Sequence, residues 1–283
     1  MTMKRKWRET AGLTALNLFF MVLCAITLVP ILYALSVSFS GSNSLLSSDF
    51  SFIPKNFTLA NYAEVLFGEN IAVWFRNTVF LAIVTVGLSL TVAVPAAYCF
   101  SRRRFPGRKT ILRCLVLLNS FPAILSMFAI YRLLRPMGLV NTRAGLILIY
   151  VATNVCGHTF FLRNFFRSLP SSLAESVLLD GGGHKDIFFR VMLPLSAPAV
   201  GTMTIFAFQG FWEEYFTAKV LVGANEKMIT FPLLLQRLNG QYATRWEWVF
   251  AASIMALIPV IVLFVVFQRK TVVGGLTQGA VKG

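Results

Sequence analysis

Residues 78–100 read TVFLAIVTVGLSLTVAVPAAYCF and include no charged side chain. A helix needs roughly 20 apolar residues to cross the hydrocarbon core of a bilayer, so this stretch predicts a membrane-spanning helix. The composition agrees, because 57% of the 283 residues belong to the AVILMFWYC set and 13% are charged, whereas soluble domains carry about 25% charged residues. An integral membrane protein is predicted, and an ordinary soluble enzyme, a disordered chain and a fibrous repeat are excluded.

Six windows have the length and apolar character of a span. They cover about residues 12–36, 78–100, 111–131, 144–162, 198–221 and 248–267. The first window follows the basic sequence MKRKWR, but its apolar run is too long for a signal peptide and no clear A-x-A cleavage site follows it. We therefore predict a retained first helix and an all-α integral membrane fold of six transmembrane helices, forming a single transmembrane domain over residues 1–283.

The basic residues are distributed unevenly between the two sides of this predicted bundle. With the N-terminus in the cytoplasm, 17 of the 26 Lys and Arg residues lie in cytoplasmic segments, together with 4 of the 11 acidic residues. The difference is +13 on the cytoplasmic side and +2 outside. Cytoplasmic loops of membrane proteins carry an excess of Lys and Arg, which favours this orientation and puts both termini inside. The net charge of +15 then needs no nucleic-acid partner.

The predicted cytoplasmic segment between the fourth and fifth spans contains RSLPSSLAESVLLDGGGHKDIFFRVMLPLSAP, residues 167–198. Ser172 and Glu175 have the spacing of a capping box, which predicts the start of a short helix. The run from Asp180 to Gly183 predicts its end, because glycine readily adopts the left-handed conformation found after helices.

A second short helix is predicted after this turn. Apolar side chains recur at helical spacing, and Asp186 and Arg190 stand one turn apart on the polar side. Leu193-Pro194 is predicted to end this helix before the fifth span. The apolar stripe consists of Ile187, Phe188, Val191 and Met192.

The residues alone leave the role of this amphipathic helix–turn–helix open. It fits an interfacial element that only stabilises the bundle, and it fits a docking element for a partner. A phosphate-binding loop is disfavoured, because no G-K-[ST] follows the glycines and no G-x-x-x-x-G-K-[ST] occurs in the chain.

The segment resembles the EAA loop of ABC-transporter permease subunits. In that loop E-A-A is followed three residues later by D-G, and I-x-L-P follows after nine more residues. The corresponding residues here are Glu175-Ser176-Val177, Asp180-Gly181 and Val191-Met192-Leu193-Pro194. The chain departs from the pattern by Ser-Val for Ala-Ala, Gly182 for a usual Ala and Val191 for Ile.

Further motifs in the same order extend the resemblance over roughly residues 50–283. They are Arg76-Asn77, Ala97-Tyr98 with Ser101-Arg102, Phe105 to Lys109, Gly138 to Thr142, Trp212 to Phe216, and the tail Gly275 to Gly283. Taken together, they identify the chain as a member of the carbohydrate-type permeases of binding-protein-dependent ABC importers, with a tail similar to that of the maltose-type permease.

This resemblance implies a transport subunit that is not itself an enzyme. The expected partners are a second permease, two copies of an ATPase subunit, an extracytoplasmic solute-binding protein and membrane lipid. ATP and Mg²⁺ would bind the ATPase subunits, so no cofactor is expected in this chain. The expected location is the plasma membrane of a bacterium or archaeon, and the expected solute is a sugar or oligosaccharide.

The resemblance also assigns roles within a family-like core of about 72–268, a coupling loop of about 167–195 and a tail of 269–283. Three sets of residues carry these roles. They are Glu175, Ser176, Asp180, Gly181, Val191, Leu193 and Pro194 for ATPase coupling; Trp212, Glu213 and Glu214 for the translocation pathway; and Gln278, Gly279 and Lys282 for a contact of the tail with the ATPase.

Glu213 and Glu214 support one competing hypothesis. They lie about 15 residues into the predicted fifth span, roughly 23 Å from its cytoplasmic end at 1.5 Å per residue, and carboxylates inside a membrane are usually functional. A proton-coupled secondary carrier is therefore the alternative function. If the span ends early, both residues lie at the outer interface. A membrane enzyme is disfavoured, because His158 and His184 are the only histidines and neither has a ligand or catalytic spacing.

Overall fold

The computed structural model describes residues 3–41, 52–54, 56–68, 71–120, 123–238 and 245–279. Across these ranges every regular element is helical and no strand is present. The elements are α1 (Met3–Ser38), α2 (Ala60–Phe67), α3 (Ile71–Arg102), α4 (Arg108–Ser120), α5 (Ala123–Leu134), α6 (Arg143–Ser168), α7 (Ser172–Leu179), α8 (His184–Asp186), a π-helix (Ile187–Met192), α9 (Leu193–Leu195), α10 (Ala197–Trp212), α11 (Phe216–Val222), a 3₁₀-helix (Glu226–Met228), α12 (Phe231–Leu238) and α13 (Trp246–Gly279).

Four helices are long and apolar enough to cross a membrane. These spans are Gly12–Ser38, Ala72–Arg102, Arg143–Ser168 and Trp246–Phe267, and the number reaches six if each of two bent helix pairs forms one span. The predicted all-α membrane fold is confirmed. The count of six spans stays a prediction.

The third predicted span, over 111–131, is not one straight helix. Helix α4 ends at Ser120 and α5 begins at Ala123, and the two are bent by 103°. The sequence has Pro122 between them, and the residue before a proline disfavours the α conformation, so helices commonly end there. The apolar window therefore overlaps two helices of 13 and 12 residues, each too short to span alone.

The fifth predicted span, over 198–221, is also interrupted. Helix α10 ends at Trp212 and α11 begins at Phe216, so the prediction of one continuous helix is wrong. Glu213 and Glu214 lie at this break instead of inside a helix. Charged side chains are costly in the middle of a membrane helix, and a helix end offers free backbone groups that a carboxylate can bind.

The chain forms two compact units, one of residues 1–69 and 235–256 and one of residues 70–234 and 257–283. In the first unit, Asn61 of α2 holds the end of α1. Its side-chain amide donates to the carbonyl oxygens of Ser38 at 2.9 Å and Ser40 at 2.8 Å. Because the last carbonyls of a helix lack partners within it, the buried Asn61 acts as a cap.

The second unit has its core where α3, α6 and α10 pack together. Ala82, Ala93 and Ala97 of α3 have exposed fractions of 1%, 0% and 0%. Small residues let helix backbones approach closely within a membrane. The packing of α3 along α6 also brings their C-terminal ends together, and the candidate site is built there.

Candidate coupling site

Arg102 joins the C-terminal ends of α3 and α6. Its Nε and Nη2 atoms donate to the carbonyl oxygen of Phe166 at 3.0 and 2.7 Å, and Nη2 also donates to the carbonyl oxygen of Leu169. A guanidinium can satisfy several orphan carbonyls at once because its donors form a rigid fork. The chain therefore leaves α6 from a fixed position and enters α7 after three intervening residues.

Helix α7 begins at Ser172 as predicted, but the predicted capping box is wrong. Ser171 is the N-cap, and no side chain caps the helix. No residue of α7 is buried. Its apolar residues Leu178 and Leu179 have exposed fractions of 51% and 88%, and Glu175 is exposed beside them. Exposed apolar side chains next to charge are typical of a surface that binds another protein.

The turn after α7 has the hydrogen bonds of a Schellman motif. The N–H of Gly181 donates to Leu178 at 3.1 Å and the N–H of Gly182 donates to Val177 at 2.9 Å. Gly181 has φ +79°, so the sequence-based expectation of a left-handed glycine here is confirmed.

Gly182 is also required by the shape of this turn, although it departs from the Ala that is usual in the EAA loop. A Cβ at this position would lie 2.9 Å from the carbonyl oxygen of Val177 and 2.7 Å from its Cγ1. Both distances are shorter than real Cβ contacts allow, so the turn has no room for alanine at 182.

The second short helix starts as predicted but continues differently. The carboxylate of Asp186 accepts from the N–H of Gly183 at 2.9 Å and pairs with Arg190 at 3.3 Å. From Ile187 the chain forms a π-helix, whose wider turn places residues five apart on one side. Ile187 and Met192 are therefore the buried pair, at 3% and 0% exposed.

Leu193-Pro194 does not end this helix, contrary to the prediction. The helical path continues through α9 to Leu195, and the bend of 66° to α10 follows at Ser196. Pro194 lies in the first turn of α9, where its missing N–H costs little.

Tyr98 of α3 connects this segment to the bundle. Its ring lies 4.9 Å from the ring of Phe188 in the π-helix and 5.9 Å from that of Phe166 in α6. A cavity of about 380 Å³ beside Tyr98 is lined by Arg102 and Glu175, among others. The helix–turn–helix is thus held at its second helix, while α7 stays exposed.

The predicted coupling residues lie in one stretch of the second unit. Val191 and Leu193 are half-buried and the others are exposed. Their contact with an ATPase stays a prediction. The exposed members are Glu175, Ser176, Asp180, Gly181 and Pro194.

Trp212, predicted in the translocation pathway, is a packing residue in the described part of the chain. It is 4% exposed. Its ring lies 5.5 Å from Phe75, 5.6 Å from Phe208 and 6.5 Å from Phe231. Buried aromatic clusters of this kind stabilise a fold, both through the apolar area that they bury and through the favourable geometry of their ring pairs.

Glu213 and Glu214 have different surroundings although they are adjacent. Glu214 accepts from the N–H groups of Thr217 at 2.7 Å and Ala218 at 3.2 Å, and from the hydroxyl of Tyr150. It caps α11 and ties it to α6. Glu213 is exposed and accepts from the side-chain amide of Gln209 at 3.2 Å. Glu214 is therefore bound within the fold, whereas Glu213 is exposed. A role of either residue in the translocation pathway stays a prediction.

Replacing Glu214 by alanine is expected to destabilise the protein by about 2 kcal/mol, because two part-buried N–H groups and the hydroxyl of Tyr150 lose their acceptor. The thermal midpoint of the purified complex should fall by roughly 4–8 °C. Glu213→Ala is the matched control, with an expected change below about 0.5 kcal/mol. Equal midpoints for the two variants would contradict the structural role of Glu214.

Asn77 is the centre of a second group of hydrogen bonds. In the sequence, only the family-like pair Arg76-Asn77 pointed to this residue. Its amide nitrogen donates to the carbonyl oxygens of Lys227 at 2.9 Å and Ile229 at 3.2 Å, and its oxygen accepts from Arg143 at 2.9 Å. Asn77 is 2% exposed. It therefore fixes the segment before α12 against α3 and α6.

The predicted tail contact lies mostly beyond what the structure describes. Helix α13 runs to Gly279, so Gln278 and Gly279 belong to its last turn. Lys282 lies outside the described residues. The tail contact stays a prediction.

These features define a multi-pass membrane protein: the described residues form only helices, several of them are apolar enough to span, and the exposed helix α7 follows α6. The chain matches the family described as "Binding-protein-dependent transport system inner membrane component" over residues 86–270, and it belongs to this family. It is a permease subunit of an ABC importer, a multi-pass membrane protein and a non-enzymatic transport component.

Named relatives agree with this membership. The diacetylchitobiose uptake system permease protein of Streptomyces coelicolor is 34% identical over 255 residues, which are 90% of this chain and 84% of the relative. The galactooligosaccharides transport system permease protein of Bacillus subtilis is 31% identical over 265 residues, 92% of each chain.

A solved structure has the same fold. It is a chain of a bacterial ABC transporter involved in the import of the acidic polysaccharide alginate, with a TM-score of 0.75 and 28% identity, covering 94% of this chain and 97% of that chain. The comparisons confirm the predicted class and give no support to the alternative of a proton-coupled secondary carrier.

Proposed function

We propose that the chain passes conformational change between an ATPase and the membrane pathway through α7. The observation that carries this proposal is the exposure of α7, a helix without a buried residue that presents Leu178 and Leu179 beside Glu175. A groove on an ATPase subunit would cover these side chains. Amphipathic helices commonly bind partners in this way, with the apolar face in a groove.

The connections of α7 explain how docking would reach the membrane. On one side α6 ends at Ser168, and on the other the π-helix leads through α9 to α10. Tyr98 holds the π-helix against α3. Movement of α7 with an ATPase would therefore tilt α6 and α10 together. ATP and loaded binding protein would then favour the same global state, which is what coupling between two sites requires.

The complete transporter would contain this chain, a second permease, two copies of an ATPase subunit and an extracytoplasmic solute-binding protein. ATP and Mg²⁺ would bind the ATPase subunits. The excess of positive charge supports an orientation with both termini and α7 in the cytoplasm. In that orientation the broken segments over 111–131 and 198–221 complete the six spans, and the tail with Gln278, Gly279 and Lys282 reaches the ATPase.

The solute is a sugar or oligosaccharide. The proposal rests on relatives named for diacetylchitobiose, galactooligosaccharides and sulfoquinovosyl glycerol. All are rich in hydroxyl groups, and hydroxyls bind well to carboxylates such as the exposed Glu213 at the end of α10. Glu213 would lie beside the pathway, and Trp212 and Glu214 would keep the helices around the pathway in position.

Charge reversal at Glu175 tests the coupling proposal. Glu175→Lys should lower the amount of co-purified ATPase subunit about tenfold or more and stop solute uptake, because unpaired or like charges at an interface cost several kcal/mol. The measurement is a pull-down with matched permease levels, together with uptake. Glu175→Gln keeps the shape of the side chain and should have a smaller effect. Normal docking and uptake in Glu175→Lys would mean that α7 is only an amphipathic strut.

A further inference from the structure

A basic cavity lies where the chain enters α4. Its volume is about 550 Å³, within the range of small-ligand sites. Four of its lining residues are basic, and no acidic residue of the described chain lines it. The basic residues are Arg104, Arg108, Lys109 and Arg163.

Two of these cations are held in place by backbone oxygens. Arg108 donates through Nη1 to the carbonyl oxygen of Arg103 at 2.9 Å, and Arg163 donates through Nε to that of Phe100 at 3.2 Å. A guanidinium has five N–H donors, so both side chains keep donors for a further acceptor. The fold thus presents two fixed positive charges to one space.

Arg104 and Lys109 are exposed at the same cavity. Neither has a hydrogen-bond partner among the interactions that the structure describes. Four positive charges around one cavity repel one another when no counter-charge is present. An anion at the centre would relieve this repulsion and would give the exposed Arg104 and Lys109 an acceptor.

The surface beyond the cavity is apolar. No residue of α4 is buried, and Ile111 and Leu118 have exposed fractions of 43% and 68%. They follow Arg108 at positions 3 and 10 residues later, which places them along one side of the helix. A basic end followed by an apolar face matches a phospholipid, with its headgroup at the charges and its chains along the helix.

We propose that this cavity binds the phosphate of an anionic phospholipid. Arg108 and Arg163 form the fixed base of the site, and Arg104 and Lys109 complete it. The acyl chains lie on Ile111 and Leu118. The site belongs to the chain independently of its docking to an ATPase.

The test measures lipid binding to the delipidated full transporter by native mass spectrometry, with phosphatidylglycerol and phosphatidylcholine as probes. Phosphatidylglycerol should bind more tightly. Each Lys or Arg near an anionic membrane surface adds to the binding free energy. The double variant Arg104→Gln with Lys109→Gln should therefore bind phosphatidylglycerol roughly 30-fold more weakly. These two positions are chosen because they hold no backbone contact among those described.

Lys109→Gln and Arg113→Gln form a matched pair, since each removes one charge from α4 and only Lys109 lines the cavity. Lys109→Gln should weaken binding about fivefold, and Arg113→Gln should leave it unchanged. Equal binding of the two lipids, or equal loss in both single variants, would overturn the proposal. Displacement of phosphatidylglycerol by millimolar inorganic phosphate would assign the site to a free anion and would overturn the proposal that it binds a lipid.

Discussion

Replacing Gly181 by proline is expected to abolish solute uptake while the permease still inserts into the membrane. Gly181 has φ +79°, whereas the proline ring holds φ near −65° and removes the N–H that donates to Leu178. The local cost exceeds about 3 kcal/mol, so the turn must open. Helix α7 would then leave its position relative to α6 and the π-helix, and the proposed docking surface would be lost.

Graded variants separate this effect from a general loss of folding. Gly181→Asn should retain most uptake, because asparagine tolerates the left-handed conformation. Gly183→Ala is the matched control two residues away, since φ there is −96° and the new Cβ would meet only the Asp186 carboxylate, at 3.7 Å. Uptake and membrane level are measured together for each variant. Full uptake by Gly181→Pro would contradict the role of the turn.

Replacing Asn77 by leucine is expected to destabilise the protein more than Glu214→Ala does. The change fills a similar volume but leaves the buried carbonyl oxygen of Ile229, the part-buried one of Lys227 and the Arg143 guanidinium without the bonds from Asn77. Buried groups that lose a hydrogen bond cost about 1–3 kcal/mol each, and a net loss of about 3 kcal/mol is expected. The thermal midpoint of the purified complex should fall by roughly 6–12 °C.

Asn154→Leu is the control for this prediction. Asn154 donates to Tyr150 at 2.9 Å and to Thr153 at 3.2 Å, both within its own helix. Because it joins no second element through these bonds, its replacement should change the midpoint by less than about 2 °C. If both variants melt at the same temperature, Asn77 does not organise the segment before α12.

The apolar runs predicted the spans that are single helices and misjudged those that are broken. Length and apolarity are sufficient for α3 and α6, because each is one uninterrupted helix. They are insufficient over 111–131, where Pro122 was the available signal for a helix end. At Trp212 no glycine or proline follows the end of α10, and the local signals for the break are Gly210 inside the last turn and the two adjacent carboxylates.

The candidate site was also predicted only in part. The Asp180-Gly181 turn follows from local chemistry, because a left-handed position after a helix favours glycine. The predicted capping box is absent, because the N-cap is Ser171, and the third residue after Ser171 is Ala174 and not a Glu. The bonds of Asn77 to residues 227 and 229 join positions 150 and 152 apart, and no periodicity in one sequence reports such a pairing.

The π-helix at Ile187–Met192 restricts the number of residues that this part of the chain can hold. A π-turn holds one residue more than an α-turn over the same rise. Deleting one residue between Ile187 and Met192 would restore an α-turn and keep these two side chains on one side of the helix, four residues apart. Inserting one more residue would instead rotate everything that follows by about 100° around the axis. Met192 would then leave its buried position, and α10 would follow with a different side inward. The segment should therefore accept a one-residue deletion more readily than an insertion.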